Sequence, residues 1–336
     1  MLKEDGMNNS LHVGALLSLL ACNSAYAWLW AASFSVRVMD EDGVPVTNAA
    51  ITAAFYTSRP AWQGPGEIVY KRLTATTADN GECSFKGKCS GRAGYGFKKE
   101  GYYEHGESVA FERLEKNKYV PWNKLHEIRV RKIINPIPMY ARKLEAMRFP
   151  VPKLNATLGY DLVVGDWVPP CGAGITADFL FRIDCEYGGV TKAGYREYDS
   201  LLTLSFSNER DGIQEVRLQA DRDGSVFKLP RYAPDDGYAS NLLWKSFLHG
   251  EEGSFPFNED QNFIFRVRTQ MDGVGRITNA LYGKIRGPLR YEVRETGACM
   301  QFKYYLNPNP NDRNLEYDTM NNLFTNLNVY EQVWEP

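Results

Sequence analysis

The chain has 336 residues, of which 43% are hydrophobic and 24% are charged, and this composition excludes a wholly disordered protein. Its formal net charge of -2 excludes the basic footprint of a nucleic-acid-binding protein. The length leaves room for two domains. The 20 Tyr, 17 Phe and 7 Trp favour β-sheets, and they also suit surfaces that bind sugars or peptides.

An apolar run from Leu11 to Ala21 comes first along the chain and is too short for a permanent transmembrane helix. Ala25-Tyr26-Ala27 follows with the small residues that signal peptidase requires, so the sequence predicts a signal peptide over 1–27 and a mature start at Trp28. Two alternatives remain: a lipoprotein lipidated at Cys22, or a buried N-terminal segment. Cleavage and lipidation both predict an exported protein, periplasmic, surface-bound or secreted, without a membrane span.

The clearest structural signal is the stretch from Phe34 to Phe55. Phe34, Val36 and Val38 alternate with other residues as in a strand with one buried face. Asp40-Glu41-Asp42-Gly43 then predicts a turn, and a second β-prone run covers 51–56. Asp79-Asn80-Gly81 predicts another turn, and Gly94 to Tyr103 closes the unit.

These motifs resemble those of the carboxypeptidase-regulatory-like, transthyretin-like β-sandwich modules of exported bacterial proteins. They are Val-Arg-Val, Asp-Glu-Asp-Gly-Val-Pro-Val, Asn-Ala-Ala-Ile, Thr-Ala-Asp-Asn-Gly and a late Lys-Glu-Gly-Tyr. The resemblance covers roughly residues 33–134, the length of one such sandwich. It implies an Ig-like fold for a domain over 28–134, a role as spacer or binding platform, and no catalytic residue.

Six cysteines are present, and Cys83 and Cys89 flank five residues that a hairpin would close into a local disulfide. The alternative is two separate thiols, since sequence alone does not determine connectivity. No Cys-x-x-Cys pair or tight Cys/His cluster indicates a zinc site.

Prolines at 136, 138, 150 and 152 indicate a connecting arm over 135–152, too apolar for a solvated tether. Regularly spaced β-prone runs and turn clusters predict a second, larger β-sandwich over 153–336. Two short helices are predicted within it. One covers Ser240 to His249, where apolar residues recur four apart before Gly250, and the other covers Thr319 to Leu327.

No catalytic motif supports an enzyme, and no cofactor is indicated. His249-Gly250-Glu251-Glu252 contains a His-x-x-Glu pair, but a zinc site of that kind requires a further His downstream, and none follows. The acidic pairs Asp235-Asp236 and Glu259-Asp260 are typical of solvated loops rather than of a glycosidase. Asp40 to Gly43 and Asp221 to Gly224 are typical of turns rather than of calcium loops.

Exposed aromatic residues are the remaining candidates for a ligand site. Trp62, Trp122 and the pair Asp166-Trp167 lie beside Gly, Pro or acidic residues, where a ring would stack on a sugar and Asp166 would accept hydroxyl hydrogen bonds. The alternative is that these rings seal the core.

The sequence therefore favours an exported, non-catalytic structural or binding protein of the cell envelope, whose partner is a surface, dietary or environmental glycan or another envelope protein. A carbohydrate-binding protein and a divergent glycoside hydrolase are the alternatives.

Overall fold

The computed structural model describes residues 29–58, 68–145, 149–218, 224–255, 257–294 and 297–336. Every regular element among them is a β-strand, so this part of the chain is mainly β, as the sequence predicts. It holds no helix that is long and apolar enough to cross a membrane. The predicted signal peptide, Cys22 and Trp62 lie outside the described residues, as do three of the four residues of the turn predicted at Asp221 to Gly224.

The first sandwich packs two sheets around an apolar core that contains Phe34, Phe55 and Phe97. One sheet has the order β4-β1-β8-β7, with β9 also paired to β1, and the other has the order β3-β2-β5-β6. Strand β1 is antiparallel to β4 and parallel to β9. The strands are β1 (Trp30–Met39), β2 (Ala50–Ser58), β3 (Ile68–Thr76), β4 (Glu82–Cys89), β5 (Ala93–Lys98), β6 (His105–Val109), β7 (Arg113–Glu115), β8 (Lys118–Val120) and β9 (Lys124–Arg129).

The turn after β1 forms for the reason that its sequence indicates. Asp40 Oδ1 accepts hydrogen bonds from the amides of Asp42 and Val44, at 3.0 and 2.9 Å. Gly81 is required at the next turn, because its φ is +77° and a Cβ there would lie 2.5 Å from the Val38 carbonyl oxygen. Strands β1 and β2 thereby enter opposite sheets of the sandwich.

The second sandwich is larger and rich in aromatic residues. Its sheets have the orders β16-β19-β20-β22-β10-β23, with β11 and β21 also paired to β22, and β13-β12-β14-β15-β17-β18. Phe179, Phe181, Phe265 and Tyr304 lie in the core between them. The strands are β10 (Ile137–Leu144), β11 (Pro150–Val151), β12 (Thr157–Asp161), β13 (Asp166–Trp167), β14 (Phe179–Val190), β15 (Arg196–Ser205), β16 (Gly212–Arg217), β17 (Asn241–His249), β18 (Glu252–Ser254), β19 (Gln261–Met271), β20 (Ile277–Ile285), β21 (Arg290–Arg294), β22 (Gly297–Leu306) and β23 (Tyr317–Asn322).

The segment predicted as a connecting arm, 135–152, contributes two of these strands. Strand β10 lies between β22 and β23, antiparallel to the first and parallel to the second. Met139 and Ala141 on β10 are fully buried. The apolar residues of this segment therefore pack into a sheet of the second sandwich.

Both predicted helices are wrong. Residues 241–249 form β17, in which Trp244 is 5% exposed and its neighbour Leu243 is 60% exposed, because adjacent residues of a strand face opposite sides of the sheet. Apolar residues on both faces produced the four-residue spacing that resembled a helix. Most of 319–327 lies in or directly after β23, which pairs with β10.

One buried ion cluster lies beside β13. The guanidinium of Arg268, on a bulge of β19 with φ +56°, bonds Asp178 at 2.7 Å and Asp161 at 3.0 Å. Asp161 also accepts four backbone amides of the loops around it. Burial would raise the pKa of Asp161, but these hydrogen bonds hold it below its ordinary value. The cluster fixes the loops that precede and follow Asp166 and Trp167.

Candidate functional site: a cleft between the two sandwiches

The tryptophan predicted as the main ligand platform lies in the core. Trp167 is 4% exposed and stacks on Phe149, with ring centroids 5.3 Å apart. Asp166 accepts the amides of Trp167 and Ala173 at 2.8 and 2.9 Å, so its carboxylate holds a loop. This corrects the prediction that the pair forms an exposed sugar site, because aromatic packing decided the position of the ring. Trp122 is 37% exposed, with the Lys118 ammonium 5.1 Å from its ring centroid.

Cys83 and Cys89 are not joined. They lie near opposite ends of the continuous strand β4, where Cys83 pairs with Val36 and Cys89 with Trp30, and both thiols are free. Six residues of extended strand span about 20 Å, far beyond the reach of a disulfide. The predicted hairpin is therefore wrong, and burial raises the pKa of the Cys83 thiol to about 11.

The acidic and histidine motifs are held by neighbouring side chains. Asp235 forms an ion pair with Arg313, Glu259 pairs with Arg290, and His249 bonds Asp199 at 2.8 Å. Asp40 pairs with Lys132 at 2.7 Å. In the described part of the chain, no group of three His, Cys, Asp or Glu residues is placed to hold a metal ion.

A cleft of about 380 Å³ opens where the two sandwiches meet, and four of its eleven lining residues are aromatic. Tyr102 and Tyr103 come from the end of the first sandwich, Tyr317 begins β23, and Trp334 comes from the C-terminal segment. Trp334 is 68% exposed. Domain junctions of this kind are frequent sites for small ligands. The remaining wall consists of the apolar residues Ile133, Pro136, Val226 and Pro336 and the polar residues Glu104, Asp318 and Thr319.

Trp334 is exposed, yet the backbone around it is anchored. Glu335 accepts a hydrogen bond from Lys303 at 2.8 Å, and its carbonyl accepts one from the Tyr305 hydroxyl at 3.1 Å. Val333 is buried on one side, and the Pro336 carbonyl accepts from Arg286 on the other. An exposed ring on a fixed backbone binds a ligand at a small entropic cost.

The polar groups of the cleft are mostly acceptors. Glu104 and Asp318 are acidic, and no Lys or Arg lines the cleft itself. The Tyr317 side chain is almost fully buried, and its hydroxyl has no hydrogen-bond partner among the described residues. Burial raises the pKa of Tyr317 to about 12, so this hydroxyl stays a donor at neutral pH. Such a site suits a neutral ligand with hydroxyl groups and disfavours anions.

The floor of the cleft is braced by buried charges that join the sandwiches. Glu316 is 0% exposed and bonds Arg231 at 2.5 Å, the Tyr103 hydroxyl at 2.8 Å, and the amides of Ile134 and Asn135 at 3.0 Å. Burial would raise the pKa of Glu316, but these partners, with Arg231 first, hold it below its ordinary value. Tyr103 therefore presents its ring to the cleft while its hydroxyl is fixed beneath.

A second acid continues this network across the junction. Glu41, after β1, bonds Arg131 at 3.0 Å and Arg231 at 3.1 Å. Arg131 also donates to the carbonyl of Leu229 at 2.5 Å, in the second sandwich. We call Glu41, Arg131, Arg231, Lys284 and Glu316 the junction network. Its three cations lie over the Phe227 ring, with Arg131, Arg231 and Lys284 at 4.0, 5.3 and 5.0 Å from the ring centroid.

Lys284 is the most deeply buried cation of the junction network. It is 0% exposed, its ammonium donates to the Leu315 carbonyl at 2.6 Å, and it lies 5.0 Å from the centroid of the Phe227 ring. Burial, with the nearby charges of Arg286 and Arg131, lowers its pKa well below the ordinary value. Apart from Lys284, the junction network has two arginines facing two glutamates, a balanced set of charges.

None of the cleft residues is among those predicted from sequence. Trp122 and Trp167 were predicted as ligand residues because each is a Trp beside an acidic residue or a Pro. Trp334, which precedes Glu335 and Pro336, fits the same rule and could have been predicted from it. Tyr102 and Tyr103 were assigned to the close of the first domain. Their approach to β23 depends on contacts more than 200 residues apart, which no local pattern encodes.

Comparison with known proteins identifies no family. No protein-family model and no curated protein matches the chain. Among solved structures, 3-chlorocatechol 1,2-dioxygenase from Rhodococcus opacus is similar over 31% of this chain and 60% of its own, with 12% identity and a TM-score of 0.24.

Two further solved structures are similar over more of the chain. The shaft pilin SpaA of Lactobacillus rhamnosus is similar over 72% of this chain and 89% of its own, with 10% identity and a TM-score of 0.21. A protein provisionally described as carbohydrate-binding, from Bacteroides uniformis, is similar over 82% and 98%, with 12% identity and a TM-score of 0.17. At these TM-scores the three proteins give no indication of function.

Proposed function

We propose that this protein is a non-catalytic carbohydrate-binding protein of the cell envelope, and that its binding site is the cleft between the two sandwiches. The observation that carries the proposal is the exposed Trp334 ring on an anchored backbone, facing a cleft with three tyrosines and two carboxylates. Aromatic faces stack on the C–H faces of sugars, and carboxylates accept hydrogen bonds from sugar hydroxyls.

Neutral glycans are the ligands that this cleft suits best. Asp318 would repel an acidic polysaccharide, because no Lys or Arg side chain lines the cleft, whereas Glu104 is already paired with Lys98 at 3.2 Å. Glycans without charged groups are therefore the first to test.

The binding test compares two exposed tryptophans. We expect the native protein to bind at least one of cellulose oligomers, xylan, mannan and β-1,3-glucan, measured by affinity electrophoresis and titration calorimetry. Removal of a central aromatic anchor costs about 2 kcal/mol, roughly thirtyfold in Kd, so Trp334→Ala should lose that affinity. Trp122→Ala is the matched control, since Trp122 is exposed but does not line the cleft.

Two results would contradict the proposal. One is an absence of affinity for every neutral glycan of the panel, and the other is an equal loss of affinity in Trp334→Ala and Trp122→Ala. Release of new reducing ends from a bound glycan would show instead that the protein is a hydrolase.

Export is part of the same proposal and is supported by the N-terminal sequence. The apolar run before Ala25-Tyr26-Ala27 and the likeness of 33–134 to modules of exported proteins both favour it. We expect N-terminal sequencing of the protein recovered from the envelope or medium to begin at Trp28. A lipid-modified Cys22 at the N-terminus would support the lipoprotein alternative, and an intact leader on cytoplasmic protein would exclude export.

A further inference from the structure

The cleft between the sandwiches is continuous with two shallower depressions on the first sandwich. The nearer one, of about 370 Å³, shares Glu104 and Val226 with the cleft. The farther one, of about 430 Å³, shares Thr52, Gly96 and Gly106 with the nearer. Together the three form one groove that runs from Trp334 across the junction and along the outer face of the sheet β3-β2-β5-β6.

The floor of this groove on the sheet is open because side chains are missing from it. Gly96 of β5 pairs directly with Gly106 of β6, and Thr52 of β2 pairs with Gly96 on the other side. A Cβ at Gly96 would find its nearest heavy atom at 3.9 Å, and one at Gly106 at 3.7 Å. Packing within the protein therefore requires glycine at neither position.

Glycine within a strand lowers the stability of the folded protein. It destabilises a strand by about 0.5–1 kcal/mol relative to a residue with a side chain. Where no neighbour fills the space, a strand glycine typically marks the close approach of a ligand or another backbone. Cross-strand paired glycines beside a small threonine thus leave the sheet backbone accessible along the groove.

Aromatic rings lie at both ends of the groove. Tyr56 and Tyr70, directly paired across β2 and β3, have ring centroids 4.8 Å apart, and the Arg72 guanidinium lies 5.5 Å from the Tyr70 centroid. Trp334 lies at the other end. The charges between them offset one another, as in the Lys98–Glu104 ion pair at 3.2 Å. The groove as a whole suits a long ligand without net charge.

We infer that the ligand is a linear neutral polysaccharide that lies along this groove with several consecutive sugar units, rather than a single terminal sugar held in the cleft. This inference rests on the proposed function. The inference goes further in one respect: the affinity for the glycan depends on the number of sugar units and on the outer sheet face of the first sandwich. That face is far from Trp334 in sequence.

The test uses disaccharides and hexasaccharides of the cello-, xylo- and manno- series with the full chain. We expect a hexasaccharide to bind at least about tenfold more tightly than the disaccharide of the same series, measured by calorimetry. Gly96→Val should abolish this gain and leave disaccharide affinity unchanged, because valine fills the groove floor. Trp334→Ala should weaken both ligands.

Gly96→Val is expected to fold, since the added side chain finds open space and valine favours strands. Its melting temperature should equal or exceed that of the native protein. Gly273→Val is the matched control, as a Cβ there meets nothing within 4 Å and the residue lies outside the groove. Tyr56→Ala provides a second variant at the far end, with the same expected loss of the chain-length gain.

The outcomes separate the inference from the proposed function. Equal affinity for disaccharide and hexasaccharide, with dependence on Trp334 retained, would overturn the extended groove and leave the cleft as a sugar site. A chain-length gain that survives both Gly96→Val and Tyr56→Ala would overturn it too. Binding of extended peptides but of no glycan would overturn both ideas.

Discussion

Replacement of Glu316 by alanine is expected to destabilise the protein by about 3–5 kcal/mol, the usual cost of removing one partner of a buried ion pair. Three donors lose their acceptor at once, namely the Tyr103 hydroxyl and the amides of Ile134 and Asn135. Arg231 loses one of its two carboxylate partners and keeps Glu41. Since these donors belong to both sides of the junction, the two sandwiches should also unfold as separate transitions. Urea unfolding followed by tryptophan fluorescence, together with calorimetry, measures both effects.

Glu292→Ala is the matched control for this prediction. Glu292 also bonds two arginines, Arg196 and Arg294, both at 3.2 Å, but its side chain is 47% exposed. Exposed pairs of this kind contribute about 0–1 kcal/mol. If Glu316→Ala cost no more than Glu292→Ala, the junction network would not be what holds the sandwiches together.

The Glu316 network also predicts how stability changes in acid. The pKa of Glu316 is lower in the folded protein than in the unfolded chain, so the folded state favours its ionised form. The contribution of Glu316 to the free energy of unfolding is therefore complete above the ordinary glutamate pKa of 4.5. It is lost as the pH falls through the lower pKa that Glu316 has in the folded protein. The difference in stability between the native protein and Glu316→Ala should shrink in that window.

Lys284→Met should remove a large part of the pH dependence of folding stability above neutral pH. The folded pKa of Lys284 lies well below 10.5, so unfolding takes up a proton at every pH between the folded value and 10.5. The free-energy cost of burying a charged Lys284 is paid in full below the folded pKa. Above that pKa the cost falls by up to about 1.4 kcal/mol per pH unit, and it vanishes beyond 10.5. The native protein should thus gain stability relative to Lys284→Met as the pH rises from neutral to 10.

The measurement is the urea midpoint of both proteins at a series of pH values. Lys245→Met is the control, because Lys245 lies exposed on β17 and should leave the pH dependence of the native protein unchanged. Parallel pH curves for the native protein and Lys284→Met would show that Lys284 remains charged in the fold, and the balanced charge set of the junction network would be wrong.

Sequence patterns predicted the mainly-β class because strand and turn signals are local. The alternation of Phe34, Val36 and Val38 produced β1, and the Asp40 carboxylate closes the turn that its position indicates. The same rules failed at 240–249 because that strand has apolar residues on both faces. Trp244 is buried while Leu243 and Phe247 face outward, which satisfies a spacing of four as well as one of two.

The candidate site was predicted poorly, for a physical reason. Whether a tryptophan beside Gly, Pro or Asp is exposed depends on which residues pack against it. Trp167 packs against Phe149, Tyr160 and Phe181 in the core and is buried. Trp334 remained exposed because its neighbours Val333 and Glu335 turn inward and are held by the second sandwich. The local sequence of the two tryptophans does not distinguish these outcomes.

The amino-acid sequence by itself determined the strand-rich class, the turns at Asp40 and Gly81 and the balance of charge, because hydrogen bonds and sterics among near neighbours decide them. Only the tertiary structure decided which aromatic rings face solvent, that Cys83 and Cys89 lie apart on one strand, and that Tyr103 meets Glu316 beneath a cleft. Those features depend on residues up to 213 positions apart. Such contacts form only when whole sheets pack, and no short pattern records them.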